Sequence, residues 1–113
     1  MSPKKFEIWI ANQNPAHGTE PGKVLPVVVV QTNLLNSIHP SVIVCPVTTR
    51  VVPKATLLRV HLPKKQSGLS EDSDILADQI RSIDNRRLTK KAGRLTPAQG
   101  DLLLKNLYHL IME

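Results

Sequence analysis

The 113-residue chain holds one cysteine, three aromatic side chains, and no uninterrupted apolar run longer than four residues, as at 27–30. A single cysteine closes no internal disulfide, so the fold must stand on its core. Cys45 lies inside the apolar stretch 42–47 and reads as a small buried hydrophobe. A catalytic thiolate needs an electropositive, partly exposed setting, and nothing adjacent in sequence supplies one. Phe6, Trp9 and Tyr108 are too few for the stacking platforms that splay bases on RNA-recognition motifs or OB folds. A membrane-spanning helix needs about 20 apolar residues, and no segment approaches that. No apolar stretch of signal-peptide length follows Lys4 and Lys5. A cytoplasmic protein with no membrane contact is expected. Phosphate-binding loops, dinucleotide-binding glycine patterns and a G-x-S-x-G elbow are absent, and His17, His39, His61 and His109 are never at metal-ligand spacing. No metal and no cofactor is expected.

What the chain does have is positive charge. Fifteen Lys and Arg against nine Asp and Glu give a net charge of +6. Residues 81–94 concentrate the excess: Arg81, Arg86, Arg87, Lys90, Lys91 and Arg94 stand against Asp84 alone. Such a balance suits an anionic partner, either nucleic acid or an acidic protein segment. With so few aromatics, nucleic acid would be held by charge and hydrogen bonds.

The apolar pattern suggests many strands followed by one helix. Residues 6–11 contain β-formers, and 12–23 are rich in Asn, Gly and Pro, a loop. The valines within 24–31 suit a buried strand, with Pro26 near its start where a missing donor is tolerable. Residues 42–48 and 56–62 read as two further strands, and 74–83 as another, bent at Asp78. At the C-terminal end, Thr96, Pro97 and Gln99 form a helix start: a cap, a proline at the first helical position, and a glutamine three residues after the cap. Leu103, Leu107, Leu110 and Ile111 then recur at helical spacing, predicting a helix over 97–111 weakened by Gly100. The expected fold is mainly β with one C-terminal helix: a single domain, 1–113, built as a small antiparallel β-barrel.

The strand with Glu7, Ile8, Trp9 and Ile10, the loop with Pro15, Gly18 and Glu20, the strand end at Pro46 to Thr49 and the segment from Asp78 to Asp84, taken in this order, resemble the MazF/PemK family of toxin endoribonucleases from toxin–antitoxin systems. The opening strand Glu7, Ile8, Trp9, Ile10 is followed by Pro15, Ala16, His17, Gly18, Thr19, Glu20, similar to the family's Pro-x-x-Gly-Ser-Glu loop. Further matches are a strand ending Pro46, Val47, Thr48, Thr49, the segment from Asp78 to Asp84, and the basic-Leu pair Arg87, Leu88. The resemblance implies an SH3-like, CcdB-like barrel and a homodimer. It also implies metal-independent cleavage of single-stranded RNA to 2′,3′-cyclic phosphate and 5′-hydroxyl ends, and neutralisation by a cognate antitoxin. Thr48 matches the threonine most tied to catalysis. The arginine of the family's Arg-Pro pair is Leu25 here, and leucine can neither donate a proton nor hold a phosphate. Lys23, two residues away and on the same side of a strand, is the expected substitute cation. Asp78 falls where some members carry an active-site carboxylate. His17, Thr19, Glu20, Arg50, Gln79 and Arg81 are the expected RNA-binding residues. Two other readings remain at this level: a nuclease-impaired relative that acts by binding its antitoxin or another protein, and a CcdB-like gyrase poison.

Overall fold

The computed structural model describes residues 2–12 and 24–112. The loop 13–23, which carries His17, Thr19, Glu20 and Lys23, lies outside the described residues. Seven strands form one antiparallel sheet: β1 Glu7–Asn12, β2 Val24–Val29, β3 Ser41–Thr48, β4 Arg59–Leu62, β5 Ser73–Leu76, β6 Arg81–Asp84 and β7 Leu88–Arg94. The path through the sheet runs β4-β5-β3-β2-β1-β7, with β6 also on β3. Strands β4 and β7 end the path and do not pair with each other, so the barrel is open. The mainly antiparallel β class with one long C-terminal helix is as expected.

Strand β3 forks the sheet. One edge pairs with β2. The other pairs with β6 over residues 41–44 and then with β5 over residues 47–48. The change of partner is made by a short 3-10 turn, Ala77–Gln79, between β5 and β6. The predicted bend at Asp78 is this turn.

Alternation along the strands builds two apolar layers. Ile8, Val28, Cys45, Val47, Val60, Ile75 and the helix residues Leu103 and Leu107 fill one, while Trp9, Val27, Val29, Val42, Val44 and Ile83 fill the other. Burial pushes the Cys45 thiol up to about 12, with the charge of Asp78 adding to the effect, so the sulfur is an inert core atom.

Helix α3, Pro97–Met112, starts as predicted. The Gln99 backbone N–H donates to Thr96 Oγ1 at 3.2 Å, and the Thr96 N–H donates to Gln99 Oε1 at 2.9 Å, a reciprocal capping box. Two shorter helices, α1 Asn33–Asn36 and α2 Lys64–Ser67, are too brief to leave a periodic signal.

Two strands depart from expectation. The strand predicted from residue 56 begins only at Arg59. The carbonyls of Thr56 and Arg59 accept from the Asn106 side chain of α3, and Leu58 O accepts from Ala77 N. The Thr56 carbonyl is thus satisfied by the helix and not by a neighbouring strand, and residues 56–58 form a turn. Strand β7 lies within what reads in sequence only as a basic run. It pairs along β1, with two register shifts. Lys91 Nζ lies 2.8 Å from the buried carboxylate of Glu7. An exposed edge strand rich in lysine and arginine resists pairing with another chain.

Candidate functional site

At the end of the barrel where β2 begins and β3 ends, a cleft of about 810 Å³ opens. Leu25, Pro26, Thr48, Leu76, Gln79 and Arg81 are among the residues that line it. Each side chain is placed by a separate piece of the fold. Thr48 is the last residue of β3 and is half-buried. Gln79 closes the 3-10 turn. Arg81 opens β6, opposite Val44 of β3. Leu25 sits near the start of β2, opposite Ala11.

Thr48 Oγ1 accepts a hydrogen bond from the Arg50 N–H at 3.1 Å. A hydroxyl that accepts in this way keeps its own proton to donate. The turn therefore fixes the rotamer and leaves the O–H free. Gln79 and Arg81 make no side-chain hydrogen bond or ion pair among the described residues and are exposed in the cleft. The cleft thus offers a guanidinium, an amide and a hydroxyl, all able to donate to phosphate oxygens or to base edges, beside an apolar leucine.

Thr48, expected to be catalytic, and Gln79 and Arg81, expected to bind RNA, share this cleft. Asp78 and Arg50 do not line it. Asp78 is turned by the 3-10 geometry, and its charge is felt at Cys45 instead. Arg50 leaves the strand end, and its carbonyl accepts from Arg59 Nη1. Lys23, His17, Thr19 and Glu20 lie outside the described residues.

A support missed in sequence is Asp74. It is buried and stands opposite Thr48 in the β3–β5 ladder. Its carboxylate accepts from the Val52 N–H at 2.9 Å and from Arg59 Nη1 at 3.2 Å, and it lies 3.3 Å from His61 Nδ1. These bonds tie the segment after Thr48 to the sheet. No spacing in the chain distinguishes Asp74 from the acids around it.

Among the described residues no helix is long and apolar enough to cross a membrane.

Comparison with solved structures places this architecture among toxins. A chain of the MazE–MazF complex from Deinococcus radiodurans is 27% identical with a TM-score of 0.83, the match covering 98% of this chain and 97% of that one. The Mycobacterium tuberculosis toxin MazF-mt6 is 22% identical with a TM-score of 0.75, covering 91% of this chain and 93% of that one. A mycobacterial endoribonuclease in complex with its cognate antitoxin shares the fold at 19% identity and a TM-score of 0.71, covering 95% of this chain and 90% of that one. The family of PemK-like, MazF-like toxins of type II toxin–antitoxin systems matches residues 4–111. With almost the whole length matched, and the fold shared with MazF structures, the chain belongs to this toxin family.

Proposed function

We propose that the protein is an endoribonuclease toxin that cleaves single-stranded RNA in the cleft of Thr48, Gln79 and Arg81. The observation that carries this reading is the grouping in one cleft of a basic chain of an arginine and an amide with no side-chain partner among the described residues, beside an oriented hydroxyl. The products are a 2′,3′-cyclic phosphate and a 5′-hydroxyl, formed without a metal. In the reaction the ribose 2′-oxygen bonds to phosphorus and gives its proton to a base. The bond from phosphorus to the 5′-oxygen breaks, and that oxygen takes up a proton. Arg81 and the Thr48 O–H stabilise the charge that builds on the phosphorane oxygens. Gln79 holds a neighbouring base or sugar. Lys23 adjoins Val24, a cleft residue, in the chain and is the candidate second cation. His17, Thr19 and Glu20 are the loop candidates for contact with the RNA.

The neutralising partner is a cognate antitoxin with an acidic segment, complementary to the net charge of +6. The active form is a homodimer. Its support is the apolar side chains left exposed along α3, among them Leu102, Tyr108, Ile111 and Met112, which a second copy could cover.

A second reading is favoured by one residue. Leu25 puts an apolar side chain in the cleft where the resemblance expects an arginine. On that reading the protein binds its antitoxin and has lost cleavage. Incubation with mixed single-stranded RNA in EDTA, followed by sequencing and end-chemistry of the fragments, separates the two. Cyclic-phosphate ends at a recurrent sequence support the nuclease, and intact RNA supports the binder.

A further inference from the structure

A second pocket, of about 360 Å³, adjoins the cleft and shares Pro26 and Thr49 with it as a common wall. We propose that this pocket is a nucleobase subsite that receives a guanine next along the RNA strand; the proposal rests on the RNA reading above.

The pocket is built in layers. Its floor is apolar, from Ile10, Pro26, Leu69 and Ala92, at the mouth of the core that Ile8 and Val28 fill deeper in. Its rim is polar and carries Ser70, Glu71 and Lys90. An apolar floor under a polar rim suits a flat base, whose face is apolar and whose edge carries donors and acceptors. No aromatic side chain lines the pocket, so edge contacts rather than stacking must supply the selectivity.

The segment carrying Glu71 is held firmly. Ser73 Oγ, buried, donates to the Glu71 carbonyl at 3.0 Å. The next residue, Asp72, accepts from the Lys64 N–H at 2.9 Å. On the far side, Gly93 lets the backbone at Ser67 lie against β7, since a Cβ at 93 would come 2.1 Å from Ser67 O. Glu71 is exposed, and its carboxylate has no hydrogen-bond or ion-pair partner among the described residues. Asp72 and Glu7, by contrast, are engaged.

An ionised carboxylate only accepts. Of the four bases, guanine alone presents two adjacent N–H donors on its pairing edge, N1–H and the N2 amine, which meet both carboxylate oxygens at once. Cytosine and adenine offer one amine beside an acceptor, and uracil one N–H between two carbonyls. Each of these would leave an acceptor facing the carboxylate.

Lys90 supplies the charge that a polyanion needs beside Glu71. It stands opposite Ile10, which stands opposite Pro26. Two strand spacings put Lys90 about 10 Å from Pro26. Lys91 is already paired with Glu7, which leaves Lys90 as the pocket's unpaired cation among the described residues.

The test uses a randomised single-stranded 2′-fluoro RNA pool, which lacks the attacking hydroxyl and so survives binding. The bound fraction is sequenced for the wild type, Glu71→Gln and Lys90→Gln, with melting curves run alongside. The wild type should enrich guanine at one position. Glu71→Gln should reduce that enrichment about ten-fold and leave the other positions unchanged. Lys90→Gln should weaken binding to every sequence, keep the guanine preference, and lower the salt slope by about 0.7. Wild-type binding with no guanine position, or with one indifferent to Glu71→Gln, overturns the subsite while the RNA reading stands. A wild type that retains no RNA overturns both.

Discussion

Thr48 and Asp74 face each other across the β3–β5 ladder, and the buried Asp74 carboxylate binds the chain that follows Thr48 at Val52. The end of β3 that carries Thr48 is thus clamped from its own cross-strand partner. Arg59 and His61 complete the clamp from β4. Asp74→Asn keeps the size but presents an amine to groups that donate. We expect a loss of about 3 kcal/mol, because a buried charge partner is removed from Arg59. Urea denaturation reads it directly, and an unchanged midpoint would show that the clamp contributes nothing.

Glu7 makes the fold sensitive to acid. Burial alone would raise its pKa. Bonds from Lys91, the Lys4 N–H and Trp9 Nε1 outweigh burial and hold it below the ordinary glutamate value of 4.5. A depressed folded value means the stabilisation is complete above 4.5 and is lost as pH falls through the folded value. Glu7→Gln should cost about 2 kcal/mol at neutral pH and lose less than the wild type on acidification below 4.5. Parallel loss in both proteins would clear Glu7 of the role.

Gly100 lies inside α3, where alanine would ordinarily gain about 1 kcal/mol. Here a Cβ would come 2.8 Å from Phe6 Cε2. Phe6 packs its ring against the core and cannot swing it away freely. Its φ is 70°, and its backbone is bonded on both sides, N–H to Val29 O and carbonyl from Leu95 N. Gly100→Ala should therefore lower stability by about 1 kcal/mol instead of raising it, as a shifted melting temperature would show.

Leu25 lines the cleft and is half-buried, so an arginine there has a route to solvent. Leu25→Arg should raise RNA cleavage, because a guanidinium beside Thr48 adds a bidentate phosphate partner. The measurement is the single-turnover rate beside a melting curve. A stable variant with no gain would mean that Arg81 already supplies the charge the step needs.

Much of the fold was legible in the chain because local chemistry and tertiary structure agree there. The Thr96 and Gln99 cap and the valines of β2 are examples. Strand β7 was not legible, since its exposed lysines carry no alternation and its place is fixed by the β1 ladder and by Glu7. The cleft was half legible. Thr48, Gln79 and Arg81 line it together, whereas Asp78, singled out by resemblance, sits in the 3-10 turn and does not line it. A 3-10 turn sets side-chain directions by its own geometry, which a resemblance in sequence does not reveal. The role of Asp74 depends on partners 22, 15 and 13 residues away and leaves no trace in the spacing.

On the proposed function, Thr48 and Arg81 act together on an RNA phosphate. Single-turnover cleavage of one labelled single-stranded RNA in EDTA, by the wild type, Thr48→Ala and Arg81→Ala, tests it most directly. Cyclic-phosphate ends are expected from the wild type and a loss of about 100-fold in each variant, with melting temperatures unchanged. Equal rates in all three proteins would contradict it.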